Sequence, residues 1–138
     1  MTGTYKHVVD AKGRIIIPAG IRDELGDEFH VTLSDEKCLV AYSNESWNKF
    51  MEKIKTMPKV KQKKMRPLFS HAAKCELDVQ GRTVLPLALR EFAGLKKSIT
   101  VVGAGECAEI WDSDEWAVID AIETTPENIA DVYLELDS

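Results

Sequence analysis

Asp10-Ala-Lys-Gly-Arg-Ile-Ile-Ile-Pro-Ala-Gly-Ile-Arg22 returns further along the chain as Asp78-Val-Gln-Gly-Arg-Thr-Val-Leu-Pro-Leu-Ala-Leu-Arg90. Asp, Gly, Arg, Pro and the closing Arg recur at matching places, and the apolar pairs Ile16/Val84, Ile17/Leu85 and Ile21/Leu89 keep the same phase. Self-similarity at a fixed offset marks an internal duplication. The match runs on: Gly26 pairs with Gly94 and Val31 with Ile99, then, after a one-residue insertion, Cys38 with Cys107, Tyr42 with Trp111 and Trp47 with Trp116. Each half therefore repeats a whole structural unit.

Around the motif, Thr4 to Val9 reads as a strand, Asp10 to Gly13 as a turn, and Arg14 to Ile17 as a β-branched return strand, so a hairpin is expected. Pro18 suits the first turn of a helix ending at Leu25, where its missing N–H is no loss, and Gly26 falls where a left-handed cap belongs. Phe29 to Leu33 and Cys38 to Tyr42 form a second strand pair about a polar turn. The second copy predicts the same order, with a helix from Pro86 to Ala93 and strands near Ile99 to Val102 and Ala108 to Trp111. A helix follows each unit. Ser43 or Asn44 caps the first, whose Trp47, Phe50, Met51 and Ile54 share one face. Pro58 ends it, and a basic helical stretch, Lys59 to Arg66, crosses to the second copy before Pro67. Asp112 or Ser113 caps a helix bearing Trp116 and Ile119, and Pro126 opens a last helix whose Ile129, Val132, Tyr133 and Leu134 are expected to pack inward.

At 138 residues with 44% hydrophobic content, one compact domain over residues 1–138 is expected. It divides into a first repeat (4–50), a basic connection (51–71), a second repeat (72–122) and a C-terminal helical tail (123–138). No apolar run approaches the roughly 20 residues of a bilayer span, and no signal-peptide pattern opens the chain. A soluble, cytoplasmic protein with no membrane partner is expected. Cys38, Cys75 and Cys107 read as reduced, mostly buried thiols.

The formal charge of −5 hides a strong partition. From Glu106 to Ser138 there are 11 acidic residues and no Lys or Arg, whereas Asn48 to Cys75 carries eight lysines and one arginine against Glu52 alone. Net charge is thus a poor guide to the partner.

The pattern Asp-x-x-Gly-Arg-x-x-[Ile/Leu]-Pro-x-x-[Ile/Leu]-Arg resembles the SpoVT-AbrB class of bacterial DNA-binding domains. Two copies, the opening Gly3-Thr-Tyr-Lys-His-Val-Val-Asp-Ala-Lys-Gly-Arg14, Trp47 at a helix start and Cys75-Glu-Leu-Asp-Val-Gln-Gly-Arg82 are together similar to the MraZ family, from Gly3 to about Trp116. The resemblance implies an α+β, mainly β fold: a pseudo-two-fold, swapped-hairpin AbrB-like β-barrel built from the two internal repeats, with flanking helices. It also implies a nucleoid-associated transcription factor of the bacterial division and cell-wall gene cluster. Such a protein binds double-stranded DNA at short direct repeats upstream of its own operon and assembles into a homo-oligomeric ring.

Arg14 and Arg82 lead the candidate DNA contacts, because each follows a glycine at the end of a tight turn and guanidinium pairs bidentately with guanine or phosphate. The plain alternative is an ion pair with Asp10 or Asp78, four residues earlier, which can also close the turn by an Asx bond. Gly13 and Gly81 serve backbone geometry. Lys12 and Gln80 share one loop position and suit phosphate or base edge, or simple solvation. Arg22 and Arg90 match helix arginines that serve DNA binding in AbrB-like relatives, or form helix-end ion pairs such as Arg22 with Asp23 or Glu24. Three residues before the motif, where relatives can place a basic contact, stand His7 and Cys75. The lysine-rich connection suits solvation or non-specific phosphate attraction.

Catalytic, cofactor-binding and metal-ligand motifs are missing, and His7, His30 and His71 lack ligand spacing, so no enzyme, cofactor or small-molecule substrate is expected. The rival readings are an antitoxin-type interaction module using the acidic segment as an arm, or a ring-forming scaffold with little DNA binding.

Overall fold

The computed structural model describes residues 1–138. The first repeat contributes β1 (Thr4–Val8), β2 (Arg14–Ile16), α1 (Ala19–Leu25), β3 (Glu28–Leu33) and β4 (Leu39–Ser43). Next come α2 (Asn44–Lys55), α3 (Lys59–Lys64) and α4 (Arg66–Ser70). The second repeat contributes β5 (Ala73–Glu76), β6 (Arg82–Val84), α5 (Leu87–Phe92), β7 (Ser98–Gly103) and β8 (Ala108–Asp112), followed by α6 (Ser113–Glu123) and α7 (Pro126–Leu136). This is a mixed α+β fold with antiparallel sheets.

Strand order carries the main finding. A six-stranded sheet runs β1-β7-β8-β4-β3-β5, and β2 pairs only with β6. The order reads the same from either end when the repeats are exchanged, so a pseudo-two-fold axis passes between β4 and β8, at Val40 opposite Glu109. β1 lies on β7 and β5 on β3, each strand on the opposite repeat.

Two expectations are corrected here. The local hairpin of β1 with β2 does not form. Its turn closes, with Asp10 N–H donating to Arg14 O at 3.0 Å, but the return strand then turns away. Ile17 N–H donates to Gly81 O at 2.9 Å and Leu85 N–H to Gly13 O at 3.0 Å. Alternation of apolar residues specifies a strand and its buried face, not its partner, and here the face is buried between the repeats. The β-barrel is likewise not closed. The large sheet ends at β1 and β5, and the β2–β6 ribbon is only three residues long on each side. Pro18 and Pro86, which have no N–H to donate, follow it closely and stop its growth.

The register also revises the repeat alignment. Val8 faces Ser98 and Glu76 faces Glu28, so Ser98 is the counterpart of Glu28, and Val31 corresponds to Val101 rather than Ile99. Two extra residues between Gly94 and β7 account for the shift.

Between sheet and ribbon lies one core, with Ile15, Ile17, Ile21 and Leu25 from the first repeat meeting Leu85, Leu89, Ile99 and Ile110 from the second. Ser43 Oγ caps α2 by accepting from Ser46 N–H at 3.2 Å. Trp47 of α2 stacks on His30 at 4.7 Å, and Phe69 of α4 meets Trp47 edge-on at 6.0 Å. Thr32 Oγ1 donates to Leu68 O at 2.6 Å, fixing α4 to β3. Pro67 does not end the helical connection but sits in the first turn of α4, where it is tolerated. Cys38 and Cys75 are buried free thiols and Cys107 is half-buried. Burial pushes the Cys38 thiol up to about 12.

The C-terminal helix departs most from expectation. Thr125 caps α7, yet Ile129, Val132, Tyr133 and Leu134 do not pack inward: they are 41, 47, 66 and 66% exposed, and no residue of α7 is buried. Helical propensity and capping suffice to form the helix, but no surface of the same chain covers its apolar side.

Because Ile15 is 1% exposed under the ribbon, Ile15→Ala should lower unfolding free energy by about 2–5 kcal/mol in urea titration. Loss at the low end would mean that the core relaxes to fill the space.

Candidate nucleic-acid interface

In the β2–β6 ribbon Ile15 faces Thr83, and both are buried, so the alternate residues turn outward. Arg14 opposes Val84, and Ile16 opposes Arg82. All four therefore share the solvent face. The two arginines are diagonal neighbours across the pair, a relation that sets Cα atoms roughly 7–8 Å apart. Sequence reading singled out the arginines and noted Ile16 and Val84 only as an apolar pair kept in phase between the copies. Period-two alternation from the buried Ile15 and Thr83 is the signal that places them beside the arginines, 38 and 54% exposed.

Each arginine is held by its own turn. Asp10 Oδ1 accepts from Lys12 N–H and Arg14 N–H, both at 2.9 Å, and Asp10 Oδ2 accepts from Arg14 Nε at 2.6 Å. In the second copy Asp78 Oδ1 accepts from Gln80 N–H and Arg82 N–H at 2.9 Å, and Oδ2 from Arg82 Nε at 2.9 Å. The ion pair weighed from sequence is thus present in both copies. It engages Nε and leaves the Nη edge of each guanidinium outside the pair. The backbone N–H of Arg14 is the leading cause that holds the Asp10 carboxyl below the usual range, helped by the guanidinium; Arg82 does the same for Asp78.

Gly13 and Gly81 have φ of 76° and 75°, a region that L side chains rarely enter. A second constraint acts on the same atoms. A Cβ on Gly13 would lie 2.9 Å from Arg90 Nη2, and a Cβ on Gly81 would collide with the Arg22 guanidinium. The helix arginines therefore lie against the turns of the opposite repeats. Arg22 Nη2 donates to Ile17 O at 2.8 Å and Arg90 Nε to Leu85 O at 3.0 Å. The helix-end ion pair weighed as the alternative for Arg22 does not form; Glu24 instead meets the terminal amine at 2.7 Å.

Lys12 and Gln80 are exposed at matching places in the turns, next to Val79, which is fully exposed at its tip. Of the pair three residues before the motif, Cys75 is buried at 3% exposure and faces Phe29, and His7 is half-buried on β1 opposite Ile99. The lysines of α2 and α3 lie apart from the ribbon, on the exposed side of their helices. No grouping of His, Cys, Asp and Glu could hold a metal ion. His30, stacked on Trp47, is held below the ordinary imidazole value chiefly by burial. No helix is long and apolar enough to cross a membrane.

With this geometry in place, comparison with known proteins is direct. The profile of the family described as "MraZ protein, putative antitoxin-like" matches residues 1–66 and 68–127. A "Transcriptional regulator MraZ" of Lachnoclostridium phytofermentans is 45% identical over 116 residues, covering 83% of this chain and 82% of the relative. Proteins of the same name from Ligilactobacillus salivarius and Caldicellulosiruptor bescii are each 40% identical, covering 98 and 94% of this chain and 97 and 90% of their own lengths.

The turn geometry gives two expected outcomes. Both Asp10 and Asp78 should titrate by carboxyl NMR below the ordinary aspartate range. Since folding lowers these pKa values, the turns' contribution is complete above the unfolded value and is lost as pH falls through the folded one. Gly81→Ala should destabilise by about 1–2 kcal/mol through left-handed strain, with further loss from displacing Arg22, as read by urea titration.

Proposed function

The chain belongs to the MraZ family, and from that premise we propose that it is a sequence-specific DNA-binding transcriptional regulator that reads short direct repeats upstream of its own operon through the two Asp-x-x-Gly-Arg turns. One observation carries this reading: Arg14 and Arg82 lie diagonally on the outward face of one ribbon, each fixed through Nε by a turn carboxylate. A major groove about 12 Å wide admits a two-stranded ribbon, and an arginine's paired N–H groups match guanine O6 and N7. Holding Nε in advance reduces the conformational freedom lost when the Nη edge meets a base.

In this reading Lys12 and Gln80 contact phosphate or base edge, Asp10, Gly13, Asp78 and Gly81 fix the turns, and Arg22 and Arg90 are positioning residues. The whole of residues 1–138 acts as one folding unit, because the strand exchange ties the repeats together. The protein works in the cytoplasm at the nucleoid, without cofactor or catalysis.

We further propose that chains assemble through α7. Ile129, Val132, Tyr133 and Leu136 recur at helical spacing on one stripe, yet all are exposed in the isolated chain. The groove between α2, α3 and α4, bordered by Ile54, Lys59, Lys63, Arg66 and Phe69, offers apolar surface with basic walls to this acidic helix. A helix docking onto a different surface of the next copy is a head-to-tail contact, which closes into a ring where the rotation permits. A ring would set several weak readers on successive repeats at high effective concentration.

Binding to fluorescent duplex from upstream of the gene, against a scrambled duplex, tests the first proposal. Arg14→Ala and Arg82→Ala should each remove about 1–3 kcal/mol of discrimination without unfolding the protein. Binding that ignores both arginines would transfer the site to another surface and favour an antitoxin-type module or scaffold. For assembly, the double variant Val132→Asp, Leu136→Asp should sediment as a smaller species with unchanged circular dichroism. An unaltered assembly would exclude α7 from the contact.

A further inference from the structure

The two turns are alike in backbone but not in electrostatic surroundings. Strand register makes Lys97 the counterpart of Asp27, and the same hydrogen bond confirms the equivalence: Val9 N–H donates to Lys97 O at 2.8 Å, and Leu77 N–H to Asp27 O at 2.9 Å. A cation thus stands beside the first turn where a carboxylate stands beside the second. The two-residue insertion after Gly94 adds Lys96 on the same side. Lys96 and Lys97 border a cleft with Asp10 and Arg90, whereas Arg22, Asp27 and Asp78 border the matching cleft at the second turn.

Lys96 and Lys97 are both exposed, and neither joins a salt bridge in the chain. No lysine borders the cleft at the second turn, where Arg22 is the cation and Asp27 makes no salt bridge; Lys74, on β5 before that turn, is paired with Glu28 at 3.6 Å. The turns themselves add to the imbalance, since Lys12 occupies the place that Gln80 fills in the second copy.

Resting on the DNA-binding reading above, we propose that Lys96 and Lys97 form a docking surface for the phosphate backbone of double-stranded DNA beside the first turn, and that Asp27 denies the second turn the equivalent contact. The ribbon is nearly two-fold symmetric, and a symmetric reader has no preferred direction on DNA. Anchoring one turn on phosphate gives each chain a direction, which direct repeats require and palindromes do not. Of the acidic segment, Asp112 lies against Lys96, but its carboxylate is taken up by the backbone N–H groups of Lys96 at 3.1 Å and Glu115 at 3.4 Å; charges farther off than about 8–10 Å are largely screened at physiological salt.

The test uses the full chain and fluorescence anisotropy on the upstream duplex and a scrambled duplex between 50 and 200 mM salt. Each phosphate contact contributes about 0.9 to the slope of log K against log salt. Lys96→Ala with Lys97→Ala should flatten the slope by about 2 and weaken both duplexes to a similar extent, roughly tenfold or more, while leaving their ratio unchanged. Lys96→Arg with Lys97→Arg should restore the slope. Asp27→Lys should steepen it by about 1. If wild type binds and Arg14→Ala removes the preference for upstream DNA, but the double alanine variant leaves the slope unchanged, the docking surface is wrong and the DNA-reading ribbon stands. If wild type binds neither duplex, both proposals fall.

Discussion

The structure depends on a burial constraint: neither repeat can cover its own apolar surface. Ile15 lies on β2 and Ile17 just after it, on a short segment between Gly13 and Pro18 that pairs with β6 and not with its sequence neighbour β1. They are buried only because β6, carrying Thr83 and leading to Leu85, approaches from the other half. The same holds at the sheet edges, where β1 and β5 each find a ladder only on the opposite repeat. Full burial of a large aliphatic side chain stabilises by about 1.5–3 kcal/mol, so the pooled core outweighs what a local three-residue hairpin offers.

That exchange also builds the candidate site. Arg22 grows from the helix of the first repeat but lies against Gly81, and Arg90 grows from the second but lies against Gly13. Each turn is therefore shaped by its own aspartate and braced by an arginine of the other half. The glycines meet two demands at once, a left-handed backbone and room for a guanidinium. A turn built this way is stiff before any ligand arrives, and a stiff turn gives up less entropy on binding.

Much of this was legible in the chain. The duplicated motif, the turns, the helices after Pro18 and Pro86 and the aromatic face of α2 follow from spacing and local chemistry, and the structure has them within a residue or two. Pairing partners were not legible from local pattern, because alternation in Arg14 to Ile17 says which face is buried and not by what; exchange between the repeats was implied only by the family resemblance. The closed barrel failed for a related reason, since the resemblance carried a topology that the short β2–β6 ladder does not complete. The stripe on α7 misled in another way: apolar spacing predicts that a face will be covered, and here the isolated chain has nothing to cover it. For Arg14 and Arg82, the proposed site residues, the two sequence readings were not exclusive, because an ion pair through Nε leaves the Nη edge free.

Charge placement explains how a chain of net −5 can suit a polyanionic partner. What a phosphate meets is set within a screening length, not by the total. Around the first turn stand Lys12, Arg14, Arg90, Lys96 and Lys97, with two carboxylates already engaged: Asp10 by Arg14, and Asp112 by the backbone N–H groups of Lys96 and Glu115. The acidic residues beyond Glu106 lie chiefly on α6 and α7, elements that contribute nothing to the ribbon. Two identical repeats would carry two equal turns; Lys97 at the place of Asp27, with Lys96 in the two-residue insertion, makes them unequal while the bonds Val9 N–H to Lys97 O and Leu77 N–H to Asp27 O remain equivalent. A pseudo-symmetric scaffold can thus hold a directional surface, because the backbone hydrogen bonds that maintain symmetry do not depend on which side chain their donors and acceptors carry.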